Sequence, residues 1–223
     1  MKKLMSSLAI LSLLVFSVSA QASIVQIDTF TAGNNLSQFG AGTNTQTTTD
    51  SSILGGARDE SVTVRNLGGD EVFGLYSYGN GWNVAQGVDD QIFGGLTYDN
   101  FTDFDLTSNG SATTFAIDVT SFDSTTPVQD VIDIVVESNG ITQSVGVDFP
   151  GNTTLPSTVL VSFSDFTNID FTQVDSIGLE IDFQDDPGRD FEISNFRTVP
   201  EPSSAVLGLG LLGGFFLRRR RKA

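Results

Sequence analysis

Apolar and polar residues alternate along much of the chain between residues 53 and 199. The clearest stretch is residues 177–183 (IGLEIDF), where an apolar side chain occupies every second position. A period of two is typical of a β-strand that has one face in the core and the other toward solvent. The same alternation recurs in shorter form at residues 62–64, 115–119, 145–147 and 191–194. The pattern therefore predicts many short strands rather than helices.

Asparagine, glycine and proline separate these strands in combinations that favour tight turns. Asn139-Gly140 lies between two apolar runs and is the strongest hairpin signal in the chain. Residues 131–136 are more continuously apolar and predict a central strand, whereas residues 31–50 are polar and predict a loose surface loop. The predicted fold class is all-β: an antiparallel β-sandwich of jelly-roll type that spans residues 23–197.

The first 22 residues have the composition of an export signal. Two lysines follow the initial methionine, and residues 8–18 form an apolar segment that is too short for a convincing membrane span. Ala20-Gln21-Ala22 places small residues at both positions that a signal peptidase inspects. We therefore expect residues 1–22 to form a helical signal peptide that is cleaved between Ala22 and Ser23, with the bond after Ala20 as the alternative.

A second apolar segment, Ala205–Leu217, has 13 residues and no charge. As a helix it would reach about 20 Å, which is less than the roughly 30 Å of a hydrocarbon core. Long basic side chains can reach back to the interface, so the segment is still expected to act as a transmembrane helix. A buried core helix with a basic tail is the alternative. The basic residues that follow the segment are Arg218, Arg219, Arg220, Arg221 and Lys222.

These C-terminal arginines indicate the orientation of the chain in the membrane. By the positive-inside rule they act as a stop-transfer signal and stay in the cytoplasm, which leaves the body on the far side of the inner membrane.

The order of features in residues 198–223 resembles the PEP-CTERM sorting signal of exopolysaccharide-producing Gram-negative bacteria. These features are Pro200-Glu201-Pro202, the apolar helix 205–217 and the arginine cluster. The resemblance implies that a membrane-embedded exosortase recognises Pro200, Glu201 and Pro202 and processes the tail. The two prolines fix φ and remove two backbone donors, which would keep the motif extended just outside the membrane.

The resemblance also implies a location. The protein would be exported across the inner membrane of a Gram-negative bacterium and anchored transiently by the C-terminal helix. It would then reside at the cell surface or in the extracellular matrix.

The charge of the body excludes several functions. The whole chain has a net charge of −16, but seven of its 11 basic residues lie in the terminal segments. Residues 23–199 therefore contain four arginines, no lysine and 26 acidic residues, a net charge of −22. Such a body would repel nucleic acid and anionic membrane surfaces. The sequence has no cysteine and no histidine, which excludes disulfides and histidine-dependent nucleophilic or zinc chemistry.

Three carboxylates fall on a predicted turn between two strands: Asp185, Asp186 and Asp190. Oxygen ligands on a turn suit a hard cation such as calcium. The alternative is a solvated loop in which Arg189 neutralises a neighbouring carboxylate. Apart from calcium at this loop, no cofactor is expected.

Residues 73–83 gather two tyrosines and the single tryptophan among glycines and amides. Tyr76, Tyr78 and Trp82 could form a glycan-binding edge, because sugars stack on aromatic rings while amides bind their hydroxyl groups. The alternative is that these rings fill the core and direct only their polar tips outward. The excess of phenylalanine, 18 residues against three tyrosines, favours core packing for the aromatic residues in general.

Together these features predict an exported, non-catalytic envelope or extracellular-matrix protein that binds glycan. Its expected partners are signal peptidase, exosortase, the inner membrane during processing and extracellular polysaccharide, but not nucleic acid. Two alternatives stay open: a surface glycoside hydrolase or lyase that uses carboxylates, and a purely structural or adhesive matrix protein. With 26 acidic residues in the body, the sequence alone cannot select a catalytic pair.

Overall fold

The computed structural model describes residues 23–66, 73–79, 81–86, 90–182 and 190–201, which form thirteen β-strands and three short 3₁₀ turns. In chain order the strands are β1 (Val25–Asp28), β2 (Leu36–Phe39), β3 (Gly42–Thr49), β4 (Ala57–Asn66), β5 (Phe73–Ser77), β6 (Trp82–Gln86), β7 (Asp90–Tyr98), β8 (Thr114–Phe122), β9 (Val128–Ser138), β10 (Ile141–Phe149), β11 (Ser157–Ser162), β12 (Ser176–Asp182) and β13 (Phe191–Val199). The 3₁₀ turns are Leu54–Gly56, Asn152–Thr154 and Phe163–Asp165.

The strands form two antiparallel sheets that pack face to face. The seven-stranded sheet has the order β11-β8-β13-β6-β5-β2, and β1 pairs with the end of β13. The six-stranded sheet has the order β10-β9-β12-β7-β4-β3. The inward side chains of both sheets form one hydrophobic cluster. The prediction of an all-β antiparallel sandwich is confirmed.

The predicted terminal helices, 1–22 and 205–217, lie outside the described residues. Within the described ranges, no helix is long and apolar enough to cross a membrane.

The alternating patterns become strands with the expected faces. In β12, Ile177, Leu179 and Ile181 are buried while Glu180 is exposed. The apolar run 131–136 lies in β9, an interior strand between β10 and β12. Asn139-Gly140 connects β9 to β10 with positive φ at both residues, 53° and 73°, as the predicted two-residue hairpin requires.

Residues 31–50 are not the loose loop that their polarity predicts. They contain β2 and β3, and β3 pairs with β4 along all eight of its residues. The strand is polar because it lies at the edge of the six-stranded sheet, where Thr48 is its only buried residue. Threonine is β-branched and packs well on a pleated surface, so β3 needs little apolar burial to form.

Aromatic rings fill the space between the sheets. Phe115 lies at the centre of one cluster, with ring centroids of Phe163 and Phe196 at 4.9 and 5.5 Å. Phe171 stacks on Phe163 at 3.9 Å, which brings the segment after β11 onto the core. The excess of phenylalanine in the sequence is thus explained largely by packing between the layers.

A charged cluster is buried between the sheets near β1. Arg58 on β4 donates to the carboxylate of Asp28 on β1 at 2.5 Å and to that of Glu60 at 2.9 Å, and all three side chains are shielded from solvent. Tyr98 donates its hydroxyl to Asp28 at 3.0 Å, and Tyr78 donates to Glu60 at 2.9 Å. The cluster therefore joins β1 of one sheet to β4 and β7 of the other.

Hydrogen bonds offset the cost of removing these charges from water. The remaining Arg58 amino group donates to the carbonyl of Ala32 at 2.7 Å, and its guanidinium lies 4.2 Å above the ring of Tyr78. Burial raises the pKa of Asp28 above its usual range, although the Arg58 charge opposes that shift. Burial alone would lower the pKa of Arg58, but the surrounding acidic groups, Asp28 foremost, together outweigh burial and raise that pKa. Arg58 is thus a core residue.

We predict that Arg58→Met strongly destabilises the fold, because it leaves the Asp28 carboxylate buried without its cation. The expected loss is about 3–5 kcal/mol in the free energy of unfolding, measured by urea denaturation. Arg65→Met is the matched control. Arg65 is exposed, and its guanidinium lies over the ring of Phe93 at 4.3 Å, so the change should cost only about 0.5–1 kcal/mol.

The Arg58→Met deficit should also depend on pH. Without its cation, Asp28 is protonated more readily in the folded than in the unfolded chain, so acidification favours the folded state. We therefore expect a smaller deficit at pH 5 than at pH 8. A deficit of equal size at both values would contradict the role assigned to the Asp28 charge.

Candidate functional site

The outer face of the six-stranded sheet carries small polar side chains in register across five strands. One row joins β3, β4, β7, β12 and β9 through cross-strand pairs. Its members are Thr45, Ser61, Gly95, Glu180 and Asp133. A neighbouring row, two residues along each strand, has Thr47, Asp59, Thr97, Gly178 and Val135. We call the surface formed by these two rows the trough.

Two adjoining depressions lie along the trough, one of about 480 Å³ and the other of about 370 Å³. Both are lined by Ser61 and Thr97, so they meet over β4 and β7. The first extends toward β3 and the second toward β12 and β9. The trough therefore crosses the strands.

Backbone forms the floor of the trough at Gly94-Gly95. Both residues have positive φ, 121° and 155°, which side-chain-bearing residues rarely adopt. A Cβ atom at Gly95 would overlap the carbonyl oxygen of Leu179, and one at Gly94 would overlap that of Ser61. Glycine is therefore required at both positions by the close approach of the neighbouring strands.

Carboxylates and hydroxyls border this floor. Asp59 is exposed and accepts a hydrogen bond from the hydroxyl of Thr47 at 2.5 Å. Glu180 is exposed and stands directly opposite Asp133 on the adjacent strand. The Phe93 residue lines the second depression, and the Arg65 guanidinium lies over its ring. The described lining is thus more polar than apolar, and its polar groups are mainly carboxylates and hydroxyls.

The buried ion cluster supports one side of the trough. Glu60 lies at the first depression, but its side chain is buried on the inner face of β4, where Arg58 binds the carboxylate. The amide of Gln46 on β3 also donates to Glu60. Because these contacts link β3 and β4 to the core, the β3 side of the trough is held in place by charged hydrogen bonds.

Sequence reasoning missed the trough because its residues come from distant parts of the chain. Asp59, Thr97, Asp133 and Glu180 belong to four different strands, and each occurs as an ordinary solvent-facing residue in an alternating pattern. One local signal was available: a Gly-Gly pair inside a strand indicates close approach of another backbone or a ligand.

The three residues of the predicted aromatic edge have different environments in the structure. Tyr76 and Trp82 are fully buried, with ring centroids 5.3 Å apart, and Trp82 also packs edge-on against Phe191 at 5.6 Å. Tyr78 is half-buried and belongs to the Arg58 cluster. These contacts correct the expectation of a surface platform: Tyr76 and Trp82 have no face open to a sugar, and the alternative of core packing fits them.

The predicted calcium loop falls largely outside the described residues, which do not include Asp185, Asp186 and Arg189. Asp190 is described and exposed, and its carboxylate accepts a hydrogen bond from the backbone of Gln86 at 3.1 Å. Within the described ranges, no group of three or more acidic residues is arranged to hold a metal ion.

The predicted processing residues lie at the margins of the described structure. Ser23 is exposed just before β1, while Ala22 lies outside the described residues. Pro200 and Glu201 follow β13, and Glu201 is exposed. Pro202 and the stop-transfer residues Arg218, Arg219, Arg220 and Arg221 lie outside the described residues. β13 itself continues to Val199, two residues beyond the predicted end of the body.

Comparison with protein families identifies the C-terminal segment. Residues 198–221 match the PEP-CTERM protein-sorting motif. The chain therefore carries this motif at its C-terminus, as the sequence predicted. No curated protein matches the chain.

Comparison with solved structures finds distant likenesses to sandwich domains. One is the family 11 carbohydrate-binding module from Clostridium thermocellum in complex with a β-1,3-1,4-mixed-linked tetrasaccharide. It is 15% identical to this chain with a TM-score of 0.41, and the match covers 79% of this chain and 95% of the module. A point mutant of the carbohydrate-binding module CBM29-2, complexed with mannohexaose, is 12% identical with a TM-score of 0.39, covering 80% of this chain and 92% of that module. An exo-β-agarase is 14% identical with a TM-score of 0.43, covering 81% of this chain and 25% of the agarase.

We predict that Trp82 fluorescence reports folding and not ligand binding. Because the indole is fully buried, its emission should be blue-shifted and resistant to acrylamide until the protein unfolds in urea. Saturating amounts of any bound polysaccharide should leave the emission maximum unchanged. An emission maximum near that of free tryptophan in the native protein would contradict this packing.

Proposed function

We propose that the protein is an exported exosortase substrate whose sandwich binds neutral glycan chains in the cell envelope or extracellular matrix. The observation that carries the binding proposal is the trough, an open polar groove across five strands with a backbone floor at Gly94-Gly95. The sorting part of the proposal is supported by the motif at residues 198–221.

The chemistry of the trough suits a polymer rich in hydroxyl groups. Each sugar hydroxyl can donate to a carboxylate and accept from a threonine or serine hydroxyl, and the trough offers both kinds of partner. Hydrogen bonds to ionised carboxylates such as Asp59 and Glu180 are stronger than those between neutral groups. The groove runs across several strands of an outer sheet face, which suits a ligand that is an extended chain. The geometry therefore supports binding along a polysaccharide chain rather than enclosure of a small sugar.

Charge selects among glycans. The body has a net charge of −22, and the described lining of the trough includes Asp59, Asp133 and Glu180. A polysaccharide that carries uronate or sulfate groups would be repelled from this surface at low ionic strength. Neutral chains would meet no such repulsion. The proposed ligand is thus an uncharged polysaccharide.

A carboxylate-dependent glycan hydrolase is the second candidate, and one observation favours it. Asp133 and Glu180 stand opposite each other on adjacent strands, where Cβ atoms are about 4.5–5.5 Å apart. A hydrolase, however, needs one carboxyl group kept protonated by an apolar enclosure. Glu180 is exposed on an open sheet face, which suits a binding residue better than a general acid.

Removing the trough carboxylates should weaken glycan binding without unfolding the protein. We expect Asp59→Asn and Glu180→Gln each to reduce affinity for the ligand about tenfold, the effect of losing one charge-assisted hydrogen bond. The measurement is isothermal titration with a neutral β-glucan and a neutral mannan, alongside polygalacturonate as an anionic probe. At low salt, only neutral chains should bind.

Glu192→Gln serves as the control, because Glu192 lies on the seven-stranded sheet, away from the trough. It should bind like the unmodified protein. Absence of binding to every neutral glycan would exclude the binding proposal, and glycan cleavage that Glu180→Gln abolishes would establish the hydrolase instead.

The sorting motif should be required for processing of the tail. Replacement of Pro200, Glu201 and Pro202 by alanine would remove the two fixed φ angles and the acidic group, so the variant should stay unprocessed in the membrane fraction. Fractionation and immunoblotting of cells that contain an exosortase would measure this. Normal release of the variant would rule out recognition through this tripeptide.

A further inference from the structure

The sorting motif begins inside a strand of the folded body. The matched segment starts at Thr198, which is fully buried and donates its hydroxyl to the carbonyl of Leu106 at 3.1 Å. The next residue, Val199, pairs with Thr114 on β8 and accepts a hydrogen bond from the amide of Thr113 at 3.1 Å. No linker therefore separates the sandwich from the tripeptide Pro200-Glu201-Pro202.

The body also holds the centre of the tripeptide. The amide of Glu201 donates to the hydroxyl oxygen of Thr113 at 3.0 Å, and the Ser162 hydroxyl lies 3.5 Å from the Glu201 carboxylate. Proline has no N–H, so the amide of Glu201 is the single backbone donor in Pro200-Glu201-Pro202. That donor is occupied by a side chain of the body.

The hydrogen bond between the Glu201 amide and Thr113 would compete with recognition of the motif by a processing enzyme. Proteins that bind an extended peptide take much of their affinity from hydrogen bonds to its main chain. An enzyme that grips Pro200-Glu201-Pro202 would need the Glu201 amide and access to both edges of the segment. While Thr113 holds that amide, one edge faces the body and is closed to the enzyme.

We propose that Thr113 restrains the sorting motif against the sandwich, so that Glu201 must detach before the exosortase can process the tail. This inference rests on the exosortase processing proposed above. Thr113 is a restraining residue and has no part in the chemistry of processing. The partner of the freed segment is the extended-peptide site of the processing enzyme.

The test is the rate of tail processing in the full-length chain, followed by pulse-chase labelling in cells that contain the exosortase. Thr113→Val keeps the shape of the side chain and removes the acceptor, so processing should be about two- to tenfold faster, the equivalent of one neutral hydrogen bond. Thr113→Ser keeps the hydroxyl and should be processed at the original rate.

Two further variants separate restraint from general loosening. Ser162→Ala removes the contact at the limit of hydrogen-bonding distance and should change the rate less than about twofold. Ser138→Ala removes a hydrogen bond to the carbonyl of Asp170, a contact that does not involve the motif, and should leave processing unchanged. Faster processing of Ser138→Ala to the same extent as Thr113→Val would overturn the proposal, because any loosening of the body would then suffice.

Processing of Thr113→Val at the original rate would also overturn the restraint, and slower processing would show instead that the body presents the motif. Either result leaves exosortase sorting itself intact. Failure of the sorting proposal has a different signature: the triple-alanine variant would be processed as fast as the unmodified chain.

Discussion

Arg58 and Asp28 form an ion pair that is shielded from solvent and lies between the two sheets. Neither charge could be buried alone, because an unpaired ion in the core would cost several kcal/mol. The pair therefore forms only when β1, β4 and β7 are assembled, since Tyr98 on β7 completes the hydrogen bonds to Asp28. One of the four cations in residues 23–199 is used in this way. The sandwich is thus specified by one buried ion pair in addition to its apolar layers.

The same cluster links the core to the candidate binding surface. The Glu60 side chain is buried on the inner face of β4 and is fixed there by Arg58, while its neighbours Asp59 and Ser61 line the trough. Displacement of β1 would remove Asp28 and weaken the hold on Glu60. The shape of the groove over β3 and β4 therefore depends on a strand of the opposite sheet.

The sequence predicted those elements whose signal is local. Alternation in residues 177–182 and the Asn139-Gly140 turn indicate β12 and the β9–β10 hairpin, because burial on one face and a positive φ leave direct marks in the residue pattern. β3 was missed because an edge strand needs few apolar residues. Trp82 could not be placed because a large aromatic ring fits a core and a binding edge equally well. The trough could not be predicted because its residues come from strands that are distant in sequence and are aligned only by the register of the sheet.

The two ends of the described body leave from the same end of the sandwich. β1 begins beside the last residues of β13, with Val25 paired to Thr198, and Tyr98 at the end of β7 packs near Phe196. The first and last strands of the described body are therefore tied to each other, so that a pull on the residues that follow Val199 would be transmitted through β13 to β1 and, at Asp28, to the buried Arg58.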